Sequence, residues 1–189
     1  YQIYLFAVTL ATCAIAYYSF AKIAASRRLG LLGALLYTLS CYRLVCVYTR
    51  AAAGEFTAMA FFPLVLAGLY GIYTRDKPRF VDWLPMSLGM AAMVQSHLLS
   101  CALTALLLIL FCLLRLRETL HPARLLAWVK AALLAVGLSA WYLVPFFLST
   151  SSIPFMVNGP LIGKIQFQGL YLIQPVSYTH LRAHETPEH

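Results

Sequence analysis

Apolar residues run along this chain in long blocks separated by short clusters of charge, without the alternation of a strand or the one-sided stripe of a surface helix. The first block covers 2–21 and ends at Lys22, Arg27 and Arg28. A second begins at Leu29 and stays apolar to about Cys41. It then carries Tyr42, Arg43, Tyr48 and Arg50 before the small residues Ala51-Ala52-Ala53-Gly54 and Glu55. A third covers 56–73 and stops at Arg75-Asp76-Lys77-Pro78-Arg79, with Pro63 placed to kink it. A spanning helix needs about 20 residues, rising 1.5 Å each, to cross a hydrocarbon core of about 30 Å. Each block meets that requirement.

The stretch 80–114 is 35 residues of mostly apolar sequence with Gln95-Ser96-His97 at its middle. One helix of that length would reach about 52 Å, well beyond a bilayer, so two short helices with a tight turn near His97 are expected. A sixth block covers 125–148, with Pro145 placed to shape its end, and the sequence after Ser149 turns polar and rich in Pro and Gly. The pattern predicts an all-α, polytopic transmembrane helical protein with about six transmembrane helices, near 2–21, 29–48, 56–73, 80–96, 98–114 and 125–148. A single transmembrane domain over 1–175 contains them, and its last part, 149–175, is read as an extracytoplasmic loop.

Charge gives the orientation. Lys22, Arg27, Arg28, Arg75, Lys77, Arg79, Arg115, Arg117, Arg124 and Lys130 fall on one side of that topology. Arg43, Arg50 and Lys164 fall on the other. Basic loops stay in the cytoplasm, so the 43–55 segment, the His97 turn and the loop after Ser149 are expected to face outward from the cell membrane.

Composition agrees with a lipid solvent. Hydrophobic residues make up 62% and charged residues 11%, against about 25% charged in a soluble domain. The net charge of +8 sits in short loops and forms no basic face with interleaved aromatics, which argues against nucleic-acid binding. Cys13, Cys41, Cys46, Cys101 and Cys112 lie in apolar sequence without metal-ligand spacing and are read as buried free thiols. No metal and no cofactor are expected.

Both ends carry expectations of their own. The chain starts without Met, inside an apolar block and without a basic leader, so further sequence is expected upstream. At the other end, Val176-Ser-Tyr-Thr-His-Leu-Arg-Ala-His-Glu-Thr186 resembles the translation of a transposon-type sequencing adaptor. Residues 176–189 are therefore expected to be non-native. His180 and His184, four residues apart, are given no metal-binding role.

Few residues remain that could carry chemistry, and charged groups near a bilayer are costly enough to be functional candidates. In Tyr48-Thr-Arg-Ala-Ala-Ala-Gly-Glu55, Arg50 could hold an anionic phosphate through its planar fork or pair structurally with Glu55. His97, beside Ser96 and one turn before Ser100, could accept a proton or bind phosphate, although a hydrogen-bonded turn histidine is the preferred reading. Arg43 reads as an arginine snorkelling to the interface. Outside the tail the acids are Glu55, Asp76, Asp82 and Glu118, and on this topology Glu55 alone faces outward. No phosphate loop, HExxH or nucleophile elbow is present.

The motifs Tyr48-x-Arg50-Ala-x-x-Gly-Glu55-Phe, Phe62-Pro-Leu-Val-Leu66, Ser96-His97 and Leu138-Ser-Ala-Trp141-x-x-x-Pro145 occur in that order. In this they resemble the bacterial polytopic membrane proteins called "6-pyruvoyl-tetrahydropterin synthase-related". Those proteins are similar to type C glycosyltransferases, which use polyprenyl-phosphate sugars on the extracytoplasmic face. The resemblance implies that Arg50, Glu55 and His97 sit near a donor-phosphate or acceptor pocket, with the key acid in a loop further upstream. The lipid bilayer is then the constant partner and a polyprenyl-phosphate sugar the implied ligand. The alternative is a non-enzymatic transporter, flippase or membrane assembly scaffold, which would need polar residues along mid-membrane helix faces.

Overall fold

A computed structural model describes residues 1–152. The 149–175 loop beyond Ser152 and the adaptor-like tail at 176–189 lie outside the described residues. Among the described residues the fold is all helical. Its elements are α1 (Gln2–Ala24), α2 (Arg27–Thr38), α3 (Cys41–Tyr48), α4 (Ala53–Thr74), α5 (Phe80–Ser96), α6 (Leu98–Leu114), α7 (Leu116–Thr119) and α8 (Pro122–Ser152). A first compact unit, Tyr1–Val144, contains α1–α7 and most of α8. The second begins at Pro145, and its described part is the end of α8, where the Thr150 and Ser151 hydroxyls donate to the Phe146 and Phe147 carbonyls.

Four segments are long and apolar enough to cross a membrane: α1, the α2–α3 segment, α4 and α8. The expected helix over 29–48 is in fact two. α2 ends at Thr38 and α3 starts at Cys41, because Leu39 and Ser40 leave helical geometry. The long apolar stretch breaks at His97, whose backbone is extended (φ −158°, ψ 102°), leaving α5 and α6 with 17 residues each. The short α7, which hydropathy did not suggest, turns the chain between α6 and α8.

The helices pack through small residues. α4 and α5 run antiparallel, and their axes come so close that a Cβ on Gly68 would lie 2.3 Å from the Met86 nitrogen, while one on Gly71 would lie 2.4 Å from the Asp82 carbonyl oxygen. Close backbone approach of this kind is how apolar helices associate when lipid tails offer no hydrophobic contrast. α1 runs alongside α4 in the same direction. Tyr4 hydrogen-bonds Thr57 at one end, and Lys22 lies within electrostatic reach of Asp82 and Arg75 at the other. α2 returns antiparallel to α1, with Phe20 and Tyr37 edge to face at 5.9 Å. The Tyr37 hydroxyl donates to the Met59 carbonyl of α4 at 2.6 Å.

Several hydroxyls inside the helices are satisfied locally. Thr9, Thr12, Thr57, Ser96 and Thr104 each donate a hydroxyl to the carbonyl four residues earlier. In an apolar surrounding, that internal bond replaces the missing water. The outer faces are apolar too: Leu106, Leu110 and Leu113 of α6 are 61, 50 and 60% exposed, more apolar surface than a soluble monomer tolerates in one patch.

Charges collect at the Arg75 end. Asp82 accepts the Arg79 backbone N–H at 2.8 Å and pairs with Arg75 at 3.4 Å. Arg124 lies 3.6 Å from Asp76 and 3.9 Å from Glu118, and Arg115 binds Glu118 at 2.6 Å. The Arg115 hydrogen bond holds the Glu118 carboxyl below the ordinary carboxylate range.

The glycine contacts are directly testable. Gly71→Ala, which drives a methyl into the Asp82 carbonyl, should destabilise the bundle by about 1–3 kcal/mol. Gly137→Ala, where the added methyl meets nothing within 4 Å, should be neutral or stabilising by up to about 1 kcal/mol. Thermal unfolding in detergent separates the two, and equal midpoints for both variants would contradict the packing described.

Candidate functional site

At the end of the bundle away from Arg75, the chain leaves α3 in a tight turn. The Arg50 N–H bonds the Val45 carbonyl, and the Ala52 N–H bonds the Cys46 carbonyl, each at 2.9 Å. Ala51 is held left-handed at φ 51°, a conformation that costs a non-glycine residue about 1–2 kcal/mol. The turn folds Arg50 back over the first turn of α4. Its Nη1 lies 3.0 Å from Glu55 Oε2 and donates to the Tyr42 hydroxyl at 3.0 Å, while Tyr42 in turn donates to Glu55 Oε1. The Tyr42 hydroxyl, and after it the Glu55 carboxylate, raise the Arg50 guanidinium above its ordinary pKa. Arg50 is half-exposed and Glu55 largely covered, so an anion arriving from solution would meet Arg50 first and compete with Glu55 for it.

His97 stands beside this network. A Cβ on Gly54 would lie 2.8 Å from the Ser96 carbonyl oxygen and 3.7 Å from the His97 ring. The ring caps α6: Nδ1 accepts the Ser100 backbone N–H at 3.2 Å and lies 2.7 Å from the Ser100 hydroxyl. A nitrogen that accepts a backbone N–H carries no proton, so the ring's proton lies on Nε2. Arg50, Glu55 and His97 thus share one end of the bundle. Arg50 and Glu55 are in direct contact, and His97 lies beside Gly54, the residue before Glu55.

Arg43 departs from the expectation for an interfacial arginine. It is buried, with 1% of its surface exposed, because it shares the face of α3 with Cys46 and points toward α4 after the break at Leu39–Ser40. Its Nη1 donates to the Phe56 carbonyl at 3.2 Å and its guanidinium lies 4.2 Å from the centre of the Phe56 ring. The Nε and Nη2 groups have no hydrogen-bond partner among the described residues, and neither has the buried hydroxyl of Thr38. Both residues line a cavity of about 460 Å³ between α1, α2, α3 and α4, whose other walls include Leu5, Phe6, Leu44, Val47 and Phe56. The signal available in sequence was an arginine inside an apolar helix, three residues before a cysteine. Its burial depends on Phe56, thirteen residues away.

Among the described residues no three His, Cys, Asp or Glu side chains gather as a metal site, and the cysteines are free thiols. No protein-family model, no curated protein and no solved structure matches the chain.

The cap predicts how His97 variants behave. His97→Ala should lower stability by about 0.5–2 kcal/mol, the usual cost of losing a side-chain N-cap, and His97→Asn should restore most of it. Thermal unfolding in detergent checks this, and an Asn variant as unstable as the Ala variant would remove the capping role.

Proposed function

We propose that this chain is a multi-pass protein of the cell membrane, related to type C glycosyltransferases and acting on polyprenyl-phosphate-linked sugars at the extracytoplasmic face. The reading takes α1, α2–α3, α4, α5, α6 and α8 as six crossings. At 17 residues, α5 and α6 are each about 26 Å long, short for a bilayer but within what local thinning accommodates. The Arg75 end, with its basic loops, is then cytoplasmic, and the Arg50 end faces outward.

One observation carries the functional part. The residues that the sequence resemblance puts near a phosphate or acceptor pocket, Arg50, Glu55 and His97, lie together at the end opposite the basic loops. In this reading Arg50 exchanges Glu55 for a donor phosphate oxygen, which frees a carboxylate beside the incoming acceptor. His97 contributes its Nε2–H as a donor. Glu55 is the acid among the described residues at that end, and a further acid from an extracytoplasmic loop completes the chemistry.

The test is transfer from a panel of radiolabelled polyprenyl-phosphate hexoses and pentoses in membranes containing the protein. Arg50→Gln, Glu55→Gln and the cap-preserving His97→Asn should each lower transfer at least tenfold, with unchanged amounts of protein in the membrane. Transfer at the unsubstituted level by all three would end the reading and leave the transporter or scaffold alternative.

A further inference from the structure

The Arg50–Glu55 pair is closed by a third side chain, one that the motifs in the sequence do not mark. The Tyr42 hydroxyl accepts from Arg50 Nη1 at 3.0 Å and donates to Glu55 Oε1, while the same Nη1 lies 3.0 Å from Glu55 Oε2. The two carboxylate oxygens are therefore divided, Oε1 to Tyr42 and Oε2 to Arg50.

The packing of α3 fixes where Tyr42 stands. Its neighbour Arg43 is buried, donates to the Phe56 carbonyl and lies 4.2 Å from the centre of the Phe56 ring. Consecutive residues of α3, 42 and 43, thus meet consecutive residues of α4, 55 and 56. The inner contact, through Arg43, sets the register. The outer one, through the half-exposed Tyr42, brings a ring with only two torsions to fix onto Glu55.

The two bonds of Glu55 respond differently when Arg50 turns to another anion. A phenol has one hydrogen to donate, and here that hydrogen already lies on the carboxylate. Tyr42 then loses the bond it accepts and keeps the bond it donates. The carboxylate, no longer neutralised by the guanidinium, is the stronger acceptor for it. Held at one oxygen, the glutamate also keeps less rotamer freedom than a free one.

We propose that Tyr42 is a positioning residue whose hydroxyl keeps Glu55 Oε1 when Arg50 turns to an incoming anion, so that Oε2 is the oxygen released. The use of Oε2 in sugar transfer rests on the functional reading above; the Tyr42–Glu55 bridge does not. In that reading Tyr42 acts through Glu55, presenting Oε2 to the acceptor.

The C–O stretch of Tyr42 reads the bridge without any substrate. It is isolated as the infrared difference between each protein and its Tyr42→Phe counterpart in detergent. In Arg50→Ala, which removes the competing guanidinium, the band should keep the frequency of a phenol donating to a carboxylate. In Glu55→Gln it should move to that of a phenol bonded to a neutral acceptor. Should Arg50→Ala fail to fold, Arg50→Gln serves with the same expectation. One frequency shared by the Arg50 and Glu55 variants overturns the proposal, because the bond is then lost with the arginine. In the transfer assay, Tyr42→Phe should lower kcat about tenfold while the KM for the donor falls, because Arg50 loses a partner that competes with the phosphate. A misfolded fraction would lower the rate and leave KM alone. An unchanged kcat, or a lowered one with KM unmoved, overturns the positioning role. Absence of transfer by the unsubstituted protein ends the functional reading, and the infrared comparison still decides the bridge.

Discussion

The near-contact of α4 with α5 is the constraint on which the rest of the described structure depends. Where Gly68 and Gly71 stand, the backbones touch, and no side chain fits between them. That contact fixes the register of the whole hairpin, so Gly54 arrives under Ser96 and His97 at the far end. Glu55, next to Gly54, is thereby placed beside the α5–α6 turn, and α3 folds back over it through Tyr42 and Arg50. In lipid no hydrophobic gain drives helices together, and close backbone packing supplies the attraction that water would supply elsewhere. A methyl group at one of these positions therefore reaches the polar end some 20 Å away, given about 1.5 Å of rise per residue.

The same helices carry two arginines with opposite solutions to one problem. Arg50, half-exposed, neutralises its charge with Glu55 and keeps access to solution. Arg43, one turn past the α2–α3 break, gives up access, and its charge meets the Phe56 carbonyl and ring of α4 instead of an acid. The first arrangement suits reversible exchange with an anionic group that arrives at that end of the bundle. The second suits a fixed structural role, tying α3 to the start of α4.

Much of the helical layout was legible in sequence because hydropathy reports run length, and run length is what a bilayer constrains. The break at His97 followed from a run too long for one crossing. The break at Leu39–Ser40 was not legible: the block 29–48 has the right length for a single helix, and nothing in its composition marks the turn. Arg50 and Glu55 stood out as charges at a block end, and their contact follows from the four-residue turn between α3 and α4. Burial was the part that sequence could not supply. Every face of these helices is apolar, so periodicity does not say which face meets protein, and Arg43 looked like any arginine near a helix end. Its environment is set by a carbonyl and a ring thirteen residues on, a contact that exists only once α3 has turned against α4.

The measurement that bears most directly on this account is the sidedness of the two ends. With the five native cysteines replaced by serine, single cysteines at Thr49 and Gln95 report on the Arg50 end, and at Lys77 and His121 on the Arg75 end. An impermeant maleimide applied to intact cells should label the first pair at once and the second only after permeabilisation. Labelling of Thr49→Cys and Lys77→Cys from the same side would contradict the crossing of α4, and with it the outward-facing site.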